Sequence, residues 1–257
     1  MVRFAILGSF EIFNESGVCE LTAPKLRQVL ALLLVRRNQL VTLETVVEEL
    51  WGADPPKSAQ TTAQTYIYQL RKTIESEGLA PDSRELLVTR PSGYMLRVEP
   101  TELDLFVFDE EVKSGRRLLE VGRLQEAARQ LRDALALWTG PPLAGVNRGP
   151  LLEAYAAHLQ EQRLYTLELR IKADMLLGRD RELIGELRSL VAAHPFNEWF
   201  HGQLIMALSR AGRRNEALDV FHSLRHVLDN ELGLLPSPEI QEIHQNVLLV
   251  GKGPAGG

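Results

Sequence analysis

At 257 residues, with 45% hydrophobic and 25% charged side chains, the chain is long enough to bury the cores of two ordinary domains. No apolar run approaches the ~20 residues of a membrane-spanning helix, and the first residues lack a signal-peptide layout, so a cytoplasmic protein with no membrane partner is expected. A single cysteine, Cys19, excludes an internal disulfide, and the net charge of −5 disfavours nucleic acid unless cations are locally concentrated.

In chain order, Val2 to Leu7 and Phe10 to Phe13 are apolar, β-prone runs divided by Gly8-Ser9, which predicts a hairpin, and a third strand is expected at Val18 to Leu21. Cys19 falls in that strand, where a small buried residue is the ordinary role for a lone cysteine. Pro24 suits the first turn of a helix, and Leu26, Val29, Leu30, Leu33 and Leu34 give it one apolar face, ending near Arg36-Arg37-Asn38. Thr42 is placed to cap a second helix carrying Val46, Val47, Leu50 and Trp51, which Gly52 stops. After the stiff Asp54-Pro55-Pro56 linker, Ser58 is expected to cap a third helix running to about Glu75.

That third helix separates two faces. Ala63, Ile67, Leu70 and Ile74 form the buried stripe, and Gln60, Thr61, Gln64, Thr65, Tyr68, Arg71 and Lys72 lie opposite. No acidic residue occurs from Lys57 to Lys72, so a local basic and amide-rich surface exists despite the acidic total. Gln can pair with adenine N6 and N7, a Thr methyl can meet a thymine methyl, and Arg or Lys can hold phosphate. A plain solvated helix face is the competing reading. The next segment weighs against it: Leu86 to Arg90 and Tyr94 to Val98 read as strands joined by Pro91-Ser92-Gly93, giving the layout of a winged helix-turn-helix with Arg90 at the wing tip.

From Pro100 strand signals vanish. Gly122-Arg123, Gly178-Arg179 and Gly212-Arg213 each open a Gly-Arg-x-x-Glu pattern followed by a small or apolar residue, and the last two begin 34 residues apart, the tetratricopeptide period. Leu131, Leu187 and Phe221 fall at matching offsets, Pro195 ends its helix, and the Trp138 to Gly145 loop interrupts the first spacing. The fold class expected is an α+β winged helix-turn-helix at 1–99 and an all-α, tetratricopeptide-like repeat domain at 100–250. A helix from Ile240 to Val250 closes the stack, and 251–257 is expected to be a disordered tail.

Signatures of chemistry are missing. The sequence holds no P-loop, no Gly-x-Gly-x-x-Gly after a strand, no His-Glu-x-x-His and no local Ser-His-Asp pattern, so no catalytic residues, cofactor or metal are expected. His222 and His226 lie four apart on a helix without an evident third ligand and read as a solvated face; His194 and His201 read as helix-start and packing residues.

Several segments, in order, resemble the SARP family, the antibiotic regulatory proteins of streptomycetes. They are Leu7-Gly8-Ser9-Phe10, Pro24 to Leu34, Glu49-Leu50-Trp51-Gly52, Gln64 to Lys72, Pro91-Ser92-Gly93-Tyr94, and Trp138-Thr139-Gly140-Pro141-Pro142-Leu143. The last is similar to a signature of the bacterial transcriptional activator domain. The resemblance implies an OmpR-type winged helix that binds direct repeats near the −35 element of biosynthetic promoters as side-by-side protomers, and recruits RNA polymerase through its sigma and other subunits. It implies DNA contacts from Thr61, Gln64, Thr65, Tyr68 and Arg71 on the third helix and from Arg90 on the wing, to which the acid-free basic surface adds Lys57 and Lys72 as expected contacts. Gln69 departs from the Arg or Lys frequent there. Neither an appended ATPase domain nor a phosphoreceiver domain is expected, which leaves control by cellular amount or by a ligand. A repeat scaffold whose winged helix binds protein, and a repressor with the same fold, are the alternative functions.

Overall fold

The computed structural model describes residues 2–19, 21–80 and 82–249. The tail expected at 251–257, and Val250 at the end of the expected last helix, lie outside them. The chain forms two compact units, one of residues 1–121 with 129–169, the other of residues 122–128 with 170–257. The boundary expected at residue 99 falls inside the first unit.

The first unit opens with strands Arg3–Ala5 (β1), Glu11–Asn14 (β2) and Gly17–Cys19 (β3), paired antiparallel in that order. Phe4 opposes Ile12 and Ile12 opposes Cys19, so alternation places all three on the buried face and leaves Arg3 and Glu11 exposed. Burial pushes the Cys19 thiol up to about 11, with Glu77 adding to the effect, so at neutral pH it stays protonated and inert. Helix α1 (Pro24–Val35) starts on its proline and buries nearly every side chain from Leu26 onward. Helix α2 (Leu43–Trp51) is capped by Thr42, whose Oγ1 accepts from the Thr45 N–H at 3.2 Å, and ends at Gly52 with φ of +63°.

Helix α3 (Ala59–Ser76) buries Ala63, Ile67, Leu70 and Ile74 against α1 and α2. Its start corrects one expectation: Ser58 makes no side-chain cap. At φ −88° and ψ 7° its backbone is outside the extended conformation from which a capping hydroxyl reaches N–H groups inside the helix. A short helix, α4 (Ser83–Leu86), capped by Asp82, takes Leu86 out of the expected strand. Strand β4 (Val41–Thr42), which the sequence pattern does not announce, joins β5 (Leu87–Arg90) and β6 (Gly93–Leu96) in the order β4-β6-β5.

After a 3₁₀ turn at Pro100–Glu102 come α5 (Asp104–Glu120), α6 (Leu124–Ala136) and α7 (Pro150–Leu176). The core of the first unit continues past the wing into these elements through Leu105, Phe108, Trp138, Leu143, Leu152 and Leu159, all buried with Phe4, Ile6, Leu7 and Phe10. Each such side chain, removed from water, contributes roughly 1.5–3 kcal/mol. Backbone bonds extend the same continuity: Thr139 N donates to Leu7 O (3.0 Å), Leu143 N to Ile6 O (2.9 Å), and Ala144 N to Gly8 O (2.9 Å), while Phe10 N donates to Ala144 O (3.0 Å). A Cβ at Gly8 would sit 1.9 Å from the Thr139 hydroxyl, so glycine is what lets this loop approach.

The second unit is helical. Helices α8 (Asp180–Ala193), α10 (Arg214–Leu232) and α11 (Pro238–Leu249) pack on α9 (Glu198–Arg210) around Leu187, Phe200, Leu204, Leu208, Ala217, Phe221 and Leu224. Gly178 and Gly212, each just before the helix its motif opens, have φ of +74° and +79°, the left-handed turn that a repeat boundary requires. A buried ion cluster adds to the unit: Asp174 accepts from Arg179 at 2.7 Å and pairs with Arg170 at 3.4 Å, and Arg170 also binds Glu186.

Candidate nucleic-acid interface

With its apolar stripe turned against α1 and α2, α3 leaves its other side to solvent. Gln60, Thr61, Gln64, Thr65, Tyr68, Gln69 and Lys72 are exposed. Thr61, Gln64, Thr65, Tyr68 and Lys72 recur at three- and four-residue steps and so share one face, with Lys57 exposed just ahead of the helix. Lys72 Nζ stands 5.0 Å from the centre of the Tyr68 ring, which is 58% exposed. The Thr65 hydroxyl donates to Thr61 O at 3.0 Å, so its one proton is committed to the helix and it offers outward only acceptor lone pairs and a methyl group.

Arg71 is placed differently from its neighbours. It is half-buried, and its Nη2 donates to Leu87 O at 3.0 Å and to Thr89 Oγ1 at 2.6 Å. That guanidinium ties α3 to β5, the first strand of the wing. Arg90, expected at the wing tip, is exposed and pairs with Gly93 across the β5–β6 turn.

The wing is anchored on its other side by Gly93. A Cβ there would meet Val41 O at 2.1 Å, so only glycine admits β4 alongside β6. Thr42 therefore serves twice, pairing with Gly93 in the sheet and capping α2. Helix and wing are thus held in one geometry by backbone pairing and by Arg71.

Two carboxylates of the first unit, Glu49 and Asp104, carry structural roles that the sequence pattern does not announce. Glu49, on α2, is 1% exposed; its Oε1 accepts from Gly149 N at 2.6 Å, and its Oε2 from Leu151 N and Leu152 N, both at 3.0 Å. Leu151 and Leu152 are in the first turn of α7 and Gly149 stands just ahead of it, so these N–H groups lack acceptors within the helix. Gln28 Nε2 braces Glu49 through its carbonyl at 2.7 Å and its Oε1 at 3.1 Å. Asp104 accepts from Ile6 N and Leu7 N, each at 2.9 Å through Oδ2. Burial pushes its carboxyl up, against the pull of those N–H groups. The signal for Glu49 was available: it falls between Val46 and Leu50 on the buried side of α2, where a charge needs a partner.

Among the described residues no three His, Cys, Asp or Glu side chains are grouped to hold a metal ion. His226 is exposed and bonded to Asn230 on its own helix, and His222 lies edge-on to His244 at 5.9 Å. No helix among them is long and apolar enough to cross a membrane.

Comparison with known proteins matches residues 19–96 to the family described as "Transcriptional regulatory protein, C terminal" and residues 103–248 to "Bacterial transcriptional activator domain". The chain is 39% identical to the regulatory protein DnrI of Streptomyces peucetius, over 90% of this chain and 86% of DnrI. It is 35% identical to the transcriptional regulatory protein MoaR1 of Mycobacterium tuberculosis, over 96% and 79%. It is 33% identical to the regulatory protein AfsR of Streptomyces griseus, of which it spans only 24%. The solved structure of Mycobacterium tuberculosis EmbR in complex with a low affinity phosphopeptide superposes with a TM-score of 0.90 at 29% identity, covering 97% of this chain and 65% of that one.

Proposed function

The chain belongs to the SARP family of transcriptional regulators, and on that premise we propose that it is a sequence-specific DNA-binding activator, with α3 in a major groove and the wing against the adjacent backbone. The carrying observation is the exposed face of Thr61, Gln64, Thr65, Tyr68 and Lys72, free of carboxylates, on a helix fixed by its buried stripe. Gln64 and the Thr methyls read base edges; Lys57, Lys72 and Arg90 hold phosphate; Arg71 keeps the wing in register with the helix. The binding residues and the domain assignment, a DNA-binding domain at 1–99 and an activator domain at 100–250, are part of this proposal.

With so few free cations on that face, each protomer binds modestly. Side-by-side protomers on direct repeats about one DNA turn apart (~10 bp) supply the remainder. The sites lie near the −35 element of secondary-metabolite promoters, in keeping with the family, and the helical repeats engage RNA polymerase through sigma and other subunits. Sequencing of random DNA fragments retained by the purified protein tests the reading. A repeated motif is expected, and recovery of no preferred sequence would overturn base readout. Footprinting after deletion of one repeat tests the pairing: full occupancy of the remaining repeat would refute cooperative binding.

A further inference from the structure

The turns from α8 to α9 and from α10 to α11 lie together at one end of the second unit, joined by Ser237 N, which donates to Glu198 Oε2 at 2.7 Å. Four large apolar side chains there face water: Phe196, Leu232, Leu234 and Leu235 are each 48–68% exposed. The leucines are held outward on a fixed turn. Gly233, with φ of +65°, takes the chain off α10 while its N–H donates to Asp229 O (3.0 Å) and that of Leu234 to Leu228 O (3.1 Å). Beyond them Pro236 is buried, and its carbonyl accepts from Gln241 Nε2 at 2.7 Å. Apolar side chains gathered and fixed in this way mark a contact with another molecule, because little order remains to be imposed when they are covered.

The charge around this patch has one sign. No Lys or Arg occurs from Ser189 to Ser209 or from His226 to Leu249, while those stretches carry Glu198, Asp229, Glu231, Glu239 and Glu242. None of these carboxylates is in an ion pair among the described residues. The nearest cation along α10, Arg225, stands seven residues before Leu232, about 10 Å along the helix, and one guanidinium does not balance five carboxylates. Helix dipoles do not restore the balance either, since α9 and α11 begin at this end and α8 and α10 finish there. We propose that this end of the repeat unit docks a basic-apolar segment of a partner protein, its apolar side chains on Phe196, Leu232, Leu234 and Leu235 and its Lys or Arg side chains against Asp229, Glu231 and Glu239. Charge complementarity decides the occupant, because an acidic segment or a nucleic acid is repelled by the same carboxylates. The proposal rests on the reading that the helical repeats contact protein, and adds the surface and the chemistry of the segment it takes.

The test uses the full chain and three fluorescein-labelled probes: Ser-Gly-Leu-Lys-Arg-Leu-Leu-Lys-Gly-Ser, the same peptide with Glu for every Lys and Arg, and the same peptide with Ser for every Leu. Fluorescence anisotropy is expected to show the basic-apolar peptide binding at least about tenfold more tightly than either control. Two double variants, Leu234→Ser with Leu235→Ser and Asp229→Lys with Glu231→Lys, are each expected to weaken it about tenfold. All four positions are exposed, so folding is preserved, and an unchanged melting temperature with unchanged promoter binding serves as the check. Equal binding of the acidic peptide, no binding of any probe up to ~1 mM, or indifference to both double variants would overturn the proposal. Self-association of the wild type that the leucine variant abolishes would also overturn it, in favour of a second copy as occupant. Failure of the wild type to bind promoter DNA or to raise transcription by purified RNA polymerase sinks the activator reading instead and leaves the peptide result standing.

Discussion

Replacing Glu49 by alanine is expected to release the start of α7. The substitution removes the acceptor for the N–H groups of Gly149, Leu151 and Leu152 and for one bond from Gln28. Bonds to a carboxylate are worth ~1.5–3 kcal/mol each, but the cost of burying that carboxylate is recovered and water enters the space it leaves. The net loss is about 3 kcal/mol, at the lower end of what removal of one partner from a buried charged arrangement costs. Converted at 1.4 kcal/mol per decade, this is roughly a 150-fold faster hydrogen exchange at those three amides. Glu49→Gln keeps one acceptor and sets an NH₂ group against an N–H donor, so about 2 kcal/mol is expected. Exchange within about threefold of wild type at Gly149, Leu151 and Leu152, with an unchanged denaturant midpoint, would refute the assignment of Glu49 as the cap of α7.

Gly93→Ala drives a Cβ into the Val41 carbonyl and must part β4 from β6, costing about 2 kcal/mol; a thermal midpoint equal to wild type would contradict the close approach. Lys72→Ala should lower the slope of log affinity against log salt by about 1, whereas Arg71→Ala should weaken binding with a smaller change in slope, because its guanidinium is bonded to the wing; identical slopes in titrations at several salt concentrations would place Arg71 on phosphate. Gln64→Ala should relax preference at one base pair by about 1–3 kcal/mol, and equal losses on specific and random DNA would remove it from base readout. Burial holds the His201 ring below the ordinary imidazole range, and burial with the nearby His222 does the same for His244. With folded values depressed, the unfolded chain takes up protons first, so this stabilisation is present above ~6.5 and is lost as pH falls through that value toward the folded ones. The melting temperature should drop between about pH 7.5 and about pH 5.5, and His201→Gln should flatten the profile; a variant as acid-sensitive as wild type would acquit His201.

Periodicity made much of this structure legible. The stripe of Ala63, Ile67, Leu70 and Ile74 fixes which side of α3 faces out, and the glycines at 178 and 212 mark repeat boundaries whatever surrounds them. Tertiary partnership was not legible. Arg71 shares its sequence pattern with phosphate-binding cations, and only the position of Leu87 and Thr89 shows that it bonds the wing. Strand β4 has two residues, too few for alternation to register, and exists because Gly93 offers no side chain to obstruct it. The first hairpin and the Trp138 loop each stand out as motifs, yet a linear pattern carries no sign that two segments about 130 residues apart share backbone bonds.

Those shared bonds bear on how the protein can be cut. A fragment ending near residue 99 would leave the carbonyls of Ile6, Leu7 and Gly8 and the amide of Phe10, in the connection between β1 and β2, without their mates, and would uncover the apolar side chains beside them. Such a piece would lose the part of its core that Leu105, Phe108, Trp138 and Leu143 supply, and a failure to fold would be easily mistaken for an inability to recognise an operator.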